Sequence, residues 1–463
     1  MRVGFASFKR MIGVGEPVEK LIFKYWLPEI VTQFIFIIFP LMADSYIVAS
    51  LKSTALYGAL GTANALLHVL LKFSEAIPIG SVAIVGRHNG AKQYEKCGKD
   101  LGDTFWTSTF IGIAQFVLIF ITAASIYRIL GVPEKMVELG APFLRLRSLG
   151  VLIVFISNAL LYFMRAIKNT RVPMVISLIG LSSFLFFDYA LVLGKLGFPQ
   201  LGLHGAALAT IIQYSLMCAI SIAYLLSRVD YRKYFPTLFI WHFSTRRVAH
   251  LLSLSWRIMI DKTAITMSYI WLFKLITPLG AYAITSFDVI KNLERFALLP
   301  AIALAQVITF LVGNKLGEQD PEGAKANIKK VLVLAVVITG STLLIFCIKA
   351  RYFVSFFDPQ NEFTHIAAPA FIMVSTLVVF DFIQLILAGS LRGAGDVKTV
   401  MYARLICCGL FFVPLSYFIS KIHIANIAVK FSLIYGSFYL TTGIIGFIFM
   451  KRIVGNRWYQ VKV

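Results

Sequence analysis

Six carboxylates stand in or beside strongly apolar stretches of the chain: Asp44, Glu75, Asp188, Asp261, Glu294 and Asp381. A charge at the centre of a bilayer costs ~2.5–3.5 kcal/mol on insertion scales, so such a group is retained for a reason. Asp44 and Asp188 suit ion coupling. A buried acid pair can take up and release a proton, or can hold Na⁺ together with carbonyl and hydroxyl oxygens. The plainer alternative is that each accepts a hydrogen bond from a nearby Ser, Thr or Tyr. Pro40, one turn before Asp44, removes a backbone hydrogen bond and favours a kink there. Asp381 has Gln384 three residues on, along the same helical face. Asp288, Lys291, Glu294 and Arg295 sum to zero charge, and Lys72 with Glu75 forms an i, i+3 pair. These groups read as self-neutralising pairs or as a polar cavity wall, and Asp261 beside Lys262 is read in the same way. The expected substrate-cavity residues are Asp381, Gln384, Glu294, Arg295, Asp261 and Glu75. Lys274, Arg145, Arg147 and Arg404 lie near helix ends, where long basic side chains snorkel.

Catalytic constellations are missing from the sequence. It holds no HExxH, GxSxG, Walker A or kinase set. The seven histidines are scattered, His68 alone falls in mid-span, and no spacing of the five cysteines suits zinc. An enzyme is therefore not expected. Nor is any cofactor beyond a coupling ion, H⁺ or Na⁺, the only metal contemplated being Na⁺ at Asp44 and Asp188.

The elements that must carry these acids follow from composition. Of the 463 residues 59% are hydrophobic and 14% charged, with a mean hydropathy of +0.81. A soluble domain carries about 25% charged residues, so a soluble protein is excluded. A membrane helix takes about 20 mostly apolar residues. Twelve stretches qualify: 26–49, 55–85, 105–127, 146–164, 172–193, 206–226, 251–277, 281–312, 331–348, 367–391, 400–422 and 431–450. Asp44 lies ~27 Å and Asp188 ~24 Å from the start of its span at about 1.5 Å per residue, which puts both at similar depth. The net charge of +22 would suggest nucleic acid in a soluble protein. Here 27 of the 44 Lys and Arg fall on alternate loops and the termini, as the positive-inside rule requires of a cytoplasmic side. Both termini are expected in the cytoplasm, in an inner or plasma membrane, with no nucleic-acid partner. The first 24 residues have no continuous apolar run and do not look like a cleaved signal.

The chain also repeats. Val85-Gly86-Arg87 and Val312-Gly313-Asn314 close the second and eighth spans, and Met164-Arg165-Ala166 and Leu391-Arg392-Gly393 close the fourth and tenth. Both pairs are offset by 227 residues. Two six-helix halves in tandem follow, with the same orientation because six is even. The expected organisation is a cytoplasmic segment 1–25, a bundle 26–226, a basic cytoplasmic linker 227–250, a second bundle 251–450 and a cytoplasmic tail 451–463. The acids are not repeated: Trp271 and Leu415 stand 227 residues beyond Asp44 and Asp188, and Val154 stands 227 before Asp381. The halves should therefore differ in role.

With these residues in view, the sequence resembles the multidrug and toxic compound extrusion (MATE) transporters, part of a superfamily that includes lipid-linked saccharide flippases. The resemblance rests on Ala43-Asp44-Ser45, on Arg165, Asn169-Thr170, Pro173-Met174 and Asp188, and on Gly197-Phe198-Pro199, Leu201-Gly202 and Gly205 to Thr210. It continues through Pro300, Val312-Gly313, Leu316-Gly317, Pro321-Glu322 and Ala324, then Phe380-Asp381, Gln384 and Leu391-Arg392-Gly393-Ala394-Gly395-Asp396. It implies an all-α, V-shaped exporter of twelve transmembrane helices in two bundles. Such an exporter exchanges cationic amphipathic compounds for H⁺ or Na⁺ by alternating access. It also implies an ion site at Asp44 and Asp188 and a role for Asp381. The chain departs from the pattern at Phe184, where many members carry Asn, and in the seventh span, where Asp261 is the nearest acid. The expected function is drug or organic-cation antiport by a monomer in contact with membrane lipid. A lipid-linked saccharide flippase is the alternative, and a channel or receptor a remoter one.

Overall fold

In the computed structural model of the protein, residues 16–37, 54–129, 131, 133–234, 244–358 and 360–461 are described. Every regular element among them is helical. A π-helical turn, Lys20–Trp26, leads into α1 (Leu27–Ile37). Then come α2 (Thr54–Gly90), α3 (Tyr94–Ile129), α4 (Glu134–Ala166), α5 (Arg171–Leu193) and α6 (Leu203–Ser227). The second series is α7 (Thr245–Ile276), α8 (Ala281–Gly317), α9 (Pro321–Ile348), α10 (Thr364–Gly393), α11 (Val397–Lys421) and α12 (Ile427–Val454). Among the described residues each apolar stretch of the sequence corresponds to one helix, the first as far as Ile37. Nine helices of the described residues are long and apolar enough to cross a membrane. At 37 residues, α2 and α8 each extend ~55 Å, well beyond a hydrocarbon core of about 30 Å.

Local chemistry sets the ends. Gly194 (φ 66°) stops α5, and Gly280 (φ 104°) separates α7 from α8. The Asp320 carboxylate accepts from the Gly323 amide and caps α9, with Pro321 at its first turn. Asn426 caps α12 by accepting from Val429 N–H at 3.2 Å. α11 contains a π-helical stretch, Cys407–Phe412, ahead of Pro414. Part of the segment expected to be a linker is ordered. Val229–Tyr234 forms a 3₁₀ turn in which Tyr234 donates to Asn89 Oδ1 at 2.8 Å and Lys233 sits over the Tyr94 ring.

The chain divides into two units, and the division runs through α7. One unit is Leu27–Met259. The other joins the residues up to Trp26 with those from Ile260 onward. In the first, α4 packs on α2, α3 and α6, α2 on α3, and α5 on α6. In the second, α10 packs on α8, α9 and α12, α8 on α9, and α11 on α12. Each of these pairs in one unit recurs in the other with six added to each helix number, as a tandem repeat requires. The segment before α1 is fastened to the second unit. Glu16 N–H donates to Asn327 Oδ1 (2.8 Å), Lys330 Nζ to Glu16 O (3.0 Å) and Trp26 Nε1 to Pro300 O (3.2 Å).

Close approach of α10 to α8 depends on Gly389 and Gly393, spaced as in a small-xxx-small helix contact. A Cβ at Gly389 would lie 2.6 Å from Ala305 O, and one at Gly393 would collide with Thr309 O. The colliding atoms are backbone, which cannot turn away. Gly393→Val is expected to destabilise the second unit by at least the ~1–3 kcal/mol typical of overpacking. A lowered unfolding temperature in detergent is the check, with Gly340→Val, where a Cβ meets open space, as the neutral comparison.

Candidate functional site

The second unit holds three of the six acids singled out in the sequence, Asp261, Glu294 and Asp381. Asp261 on α7 is 1% exposed and is held by two guanidinium groups. Arg404 Nε on α11 donates to its Oδ1 at 2.9 Å, and Arg392 Nη2 at the end of α10 donates to its Oδ2. Arg404 Nη2 also donates to Gln384 Oε1 at 3.0 Å, and Gln384 Nε2 reaches Asp381 Oδ1 at 3.3 Å. One connected network therefore contains Asp261, Arg392, Arg404, Gln384 and Asp381. The expectation for Arg404 is corrected here. It is 1% exposed and does not snorkel, because the ionised Asp261 is a better partner than distant headgroups.

Glu294 on α8 lies in the same unit and has a different environment. It is 2% exposed, and its Oε2 accepts from the hydroxyls of Tyr435 (2.5 Å) and Tyr439 (2.7 Å) on α12. Its Oε1 is buried with no hydrogen-bond partner among the described residues. Tyr269 of α7 packs on Phe438 of α12, beside Tyr439, with ring centroids 5.1 Å apart. Glu294 is thus not neutralised by Lys291, which pairs with Asp288 at 2.7 Å in an exposed position. The two are i, i+3 neighbours on α8, but Lys291 reaches back to Asp288 while the Glu294 carboxylate meets the tyrosine hydroxyls of α12. Arg295, next in the chain, is half-buried.

In the first unit, Asp188 on α5 is completely buried. It shares a face with Leu181 and Phe184, which pack with Ile35 of α1 and Ala209 of α6. Phe184, the departure from the family pattern, is therefore core packing. Asp44 lies outside the described residues. Glu75 on α2 is half-buried and pairs with Lys72 at 3.2 Å. Arg147 is fastened to α6, donating to Ala206 O at 3.1 Å and to the Thr210 hydroxyl.

Sequence reasoning missed one pair. Glu29 on α1 is fully buried and accepts from Arg165 Nε at 3.0 Å and from Gln33 Nε2 at 2.8 Å. The Arg165 guanidinium also covers the Tyr162 ring, 4.7 Å from its centroid. Arg165 and Arg392 are repeat counterparts, and each pairs with a buried acid on the first helix of its repeat, Glu29 on α1 and Asp261 on α7. The repeated arginine was a usable signal. The acids are not at matching positions, so the offset alone could not find them.

Comparison with known proteins gives concordant findings. The MatE family model matches residues 28–190 and 258–418, once in each half of the chain. A probable multidrug resistance protein NorM of Mannheimia succiniciproducens is 25% identical over 81% of this chain and 81% of its own length. A probable multidrug resistance protein YoeA of Bacillus subtilis is 23% identical over 72% of each. A multidrug resistance MATE family transporter of the MOP superfamily, solved in an outward-facing conformation, superposes with a TM-score of 0.84. It is 16% identical, covering 96% of this chain and 97% of that one.

Proposed function

Because the chain belongs to the MatE family of integral, multi-pass membrane transporters, we propose that it exports organic cations or drugs by antiport against H⁺ or Na⁺. The observation that carries this reading is Glu294. It is a carboxylate buried among helices, held by two tyrosine hydroxyls, with its other oxygen buried and unpartnered among the described residues. A proton or a cation is the chemical complement of such a group, and exchanging one for the other is what an antiporter does. Asp261, tied to two arginines, is spoken for and serves to position α7, α10 and α11.

Asp44 and Asp188 make the coupling site of the first unit. Support comes from the repeat, in which Trp271 and Leu415 are their counterparts. Trp271 Nε1 donates to the hydroxyl of Ser416 at 2.9 Å, so the counterpart of Asp44 on α7 reaches the residue next to the counterpart of Asp188 on α11. The substrate is a small amphipathic molecule, the transporter a monomer, and both termini are cytoplasmic in the inner or plasma membrane. No cofactor and no nucleic acid takes part.

The test is dye transport in proteoliposomes under an imposed proton or sodium gradient, with a panel of cationic dyes. Exchange is expected with one of the two ion gradients and none is expected when no gradient is imposed. Asp44→Asn and Asp188→Asn are each expected to reduce it at least ~10-fold, the loss of ~1.4 kcal/mol or more of coupling. Undiminished gradient-driven efflux by both variants removes these residues from the coupling site, and gradient-independent flux would replace the antiporter with a channel.

A further inference from the structure

A site unrelated to the buried acids lies on the flank of the first unit. The start of α7 packs beside α2 and α3, and between them runs a groove of about 440 Å³. Its walls are apolar: Phe73 and Ile77 of α2, Ile111 of α3, and Leu252, Trp256 and Met259 of α7. Gly80 brings α2 and α7 together beneath it, since a Cβ there would stand 2.9 Å from Ser255 Oγ. The groove opens outward. Phe73, Leu252 and Trp256 are exposed, as are Phe110 and Ile113 along the adjoining surface of α3.

One face of α7 gives this groove a polar stripe. Arg246, Ser253 and Arg257 are spaced i, i+7 and i+11, within a narrow arc of one helical side. Ser253 lines the groove and is half-buried. Arg257 lies against the Trp256 ring, its guanidinium carbon 5.5 Å from the centroid, and Arg246 is exposed. Neither arginine has an ion-pair partner among the described residues. Nearby acids are committed elsewhere: Asp103 to Arg247 at 2.5 Å, Asp100 to His88 at 2.6 Å, and Asp261, one turn beyond Arg257, to Arg392 and Arg404. α7 is 32 residues long, so counting ~20 residues of bilayer back from Ile276 puts Trp256 and Arg257 at the membrane–water boundary. Tryptophan and arginine are characteristic anchors there.

An apolar trough that opens outward, with Arg257 at the boundary, Arg246 about 16 Å nearer the start of the helix and a serine hydroxyl between them, has a defined complement. We propose that this groove binds an anionic phospholipid. Its acyl chain lies against Phe73, Ile111 and Met259, and its phosphate meets Ser253 between Arg246 and Arg257. A zwitterionic lipid carries a compensating ammonium and gains less from the two arginines.

Tryptophan quenching by brominated lipids in proteoliposomes tests this directly, without reference to transport. Brominated phosphatidylglycerol is expected to quench more than brominated phosphatidylcholine. The excess should vanish in Trp256→Phe and fall at least threefold in Arg246→Gln/Arg257→Gln, while Arg246→Lys/Arg257→Lys retains it. Equal quenching of the wild type by the two lipids would overturn the proposal, as would an excess that survives the double glutamine variant. Relief of the quenching by a transported cationic dye would also overturn it, assigning the groove to substrate.

Discussion

Glu294→Gln is expected to abolish gradient-driven efflux, with a loss of ~100-fold or more, while the protein remains folded. The loss has the size seen when an obligatory proton-handling group is removed. The reasoning is geometric. Glu294 Oε2 accepts from Tyr435 and Tyr439, and a glutamine carbonyl oxygen can accept from the same two hydroxyls. Packing of α8 on α12 is therefore preserved. What is lost is the ability to carry a negative charge that a proton or cation can neutralise and release. Tyr435→Phe and Tyr439→Phe should reduce transport less, because each leaves one hydroxyl in place. The measurement is dye efflux from proteoliposomes alongside the unfolding temperature of the same preparations. Wild-type efflux by Glu294→Gln would remove Glu294 from the transport cycle. A large fall in unfolding temperature would make its role one of packing.

Arg404→Met is expected to act the other way, through stability. Removing one partner of a buried ion pair costs about 3–5 kcal/mol, because the remaining charge keeps its desolvation penalty without its compensation. Here Asp261 would retain Arg392, and Gln384 would lose the donor that orients it toward Asp381. The double variant Asp261→Asn/Arg404→Met removes both charges and should recover a large part of the loss, since replacing a buried pair together is far cheaper than breaking it. Thermal unfolding of the four proteins of this cycle measures the coupling between the residues. A coupling energy near zero would show that Asp261 and Arg404 do not sense one another.

Both predictions concern residues that the sequence treated unevenly. Asp381 and Gln384 are three apart on one helix, so their adjacency followed from helical periodicity alone. Asp261 and Arg404 are 143 residues apart, and no periodicity links them. Arg404 was assigned to the lipid boundary because it falls near the start of an apolar run. α11 begins three residues before that run and carries Arg404 inward, where Asp261 waits.

The helices themselves were set by the chain. Stretches of about 20 apolar residues have few ways to satisfy their backbone amides in lipid, and a helix does so within one segment. Twelve runs, the shared offset of 227 and the alternation of basic loops followed from local composition, and the packing pattern of each unit repeats accordingly. The partners of the buried charges were decided only by tertiary structure. Which of several acids meets an arginine depends on how α1 lies by α4, and how α7 lies by α10 and α11, to within an ångström or two. Glu29 and Asp261 take equivalent roles from non-equivalent positions because a salt bridge needs two side-chain tips to meet, and tips can meet from more than one place along a helix. The sequence thus determined which groups are expensive to bury, and the fold determined what compensates each of them.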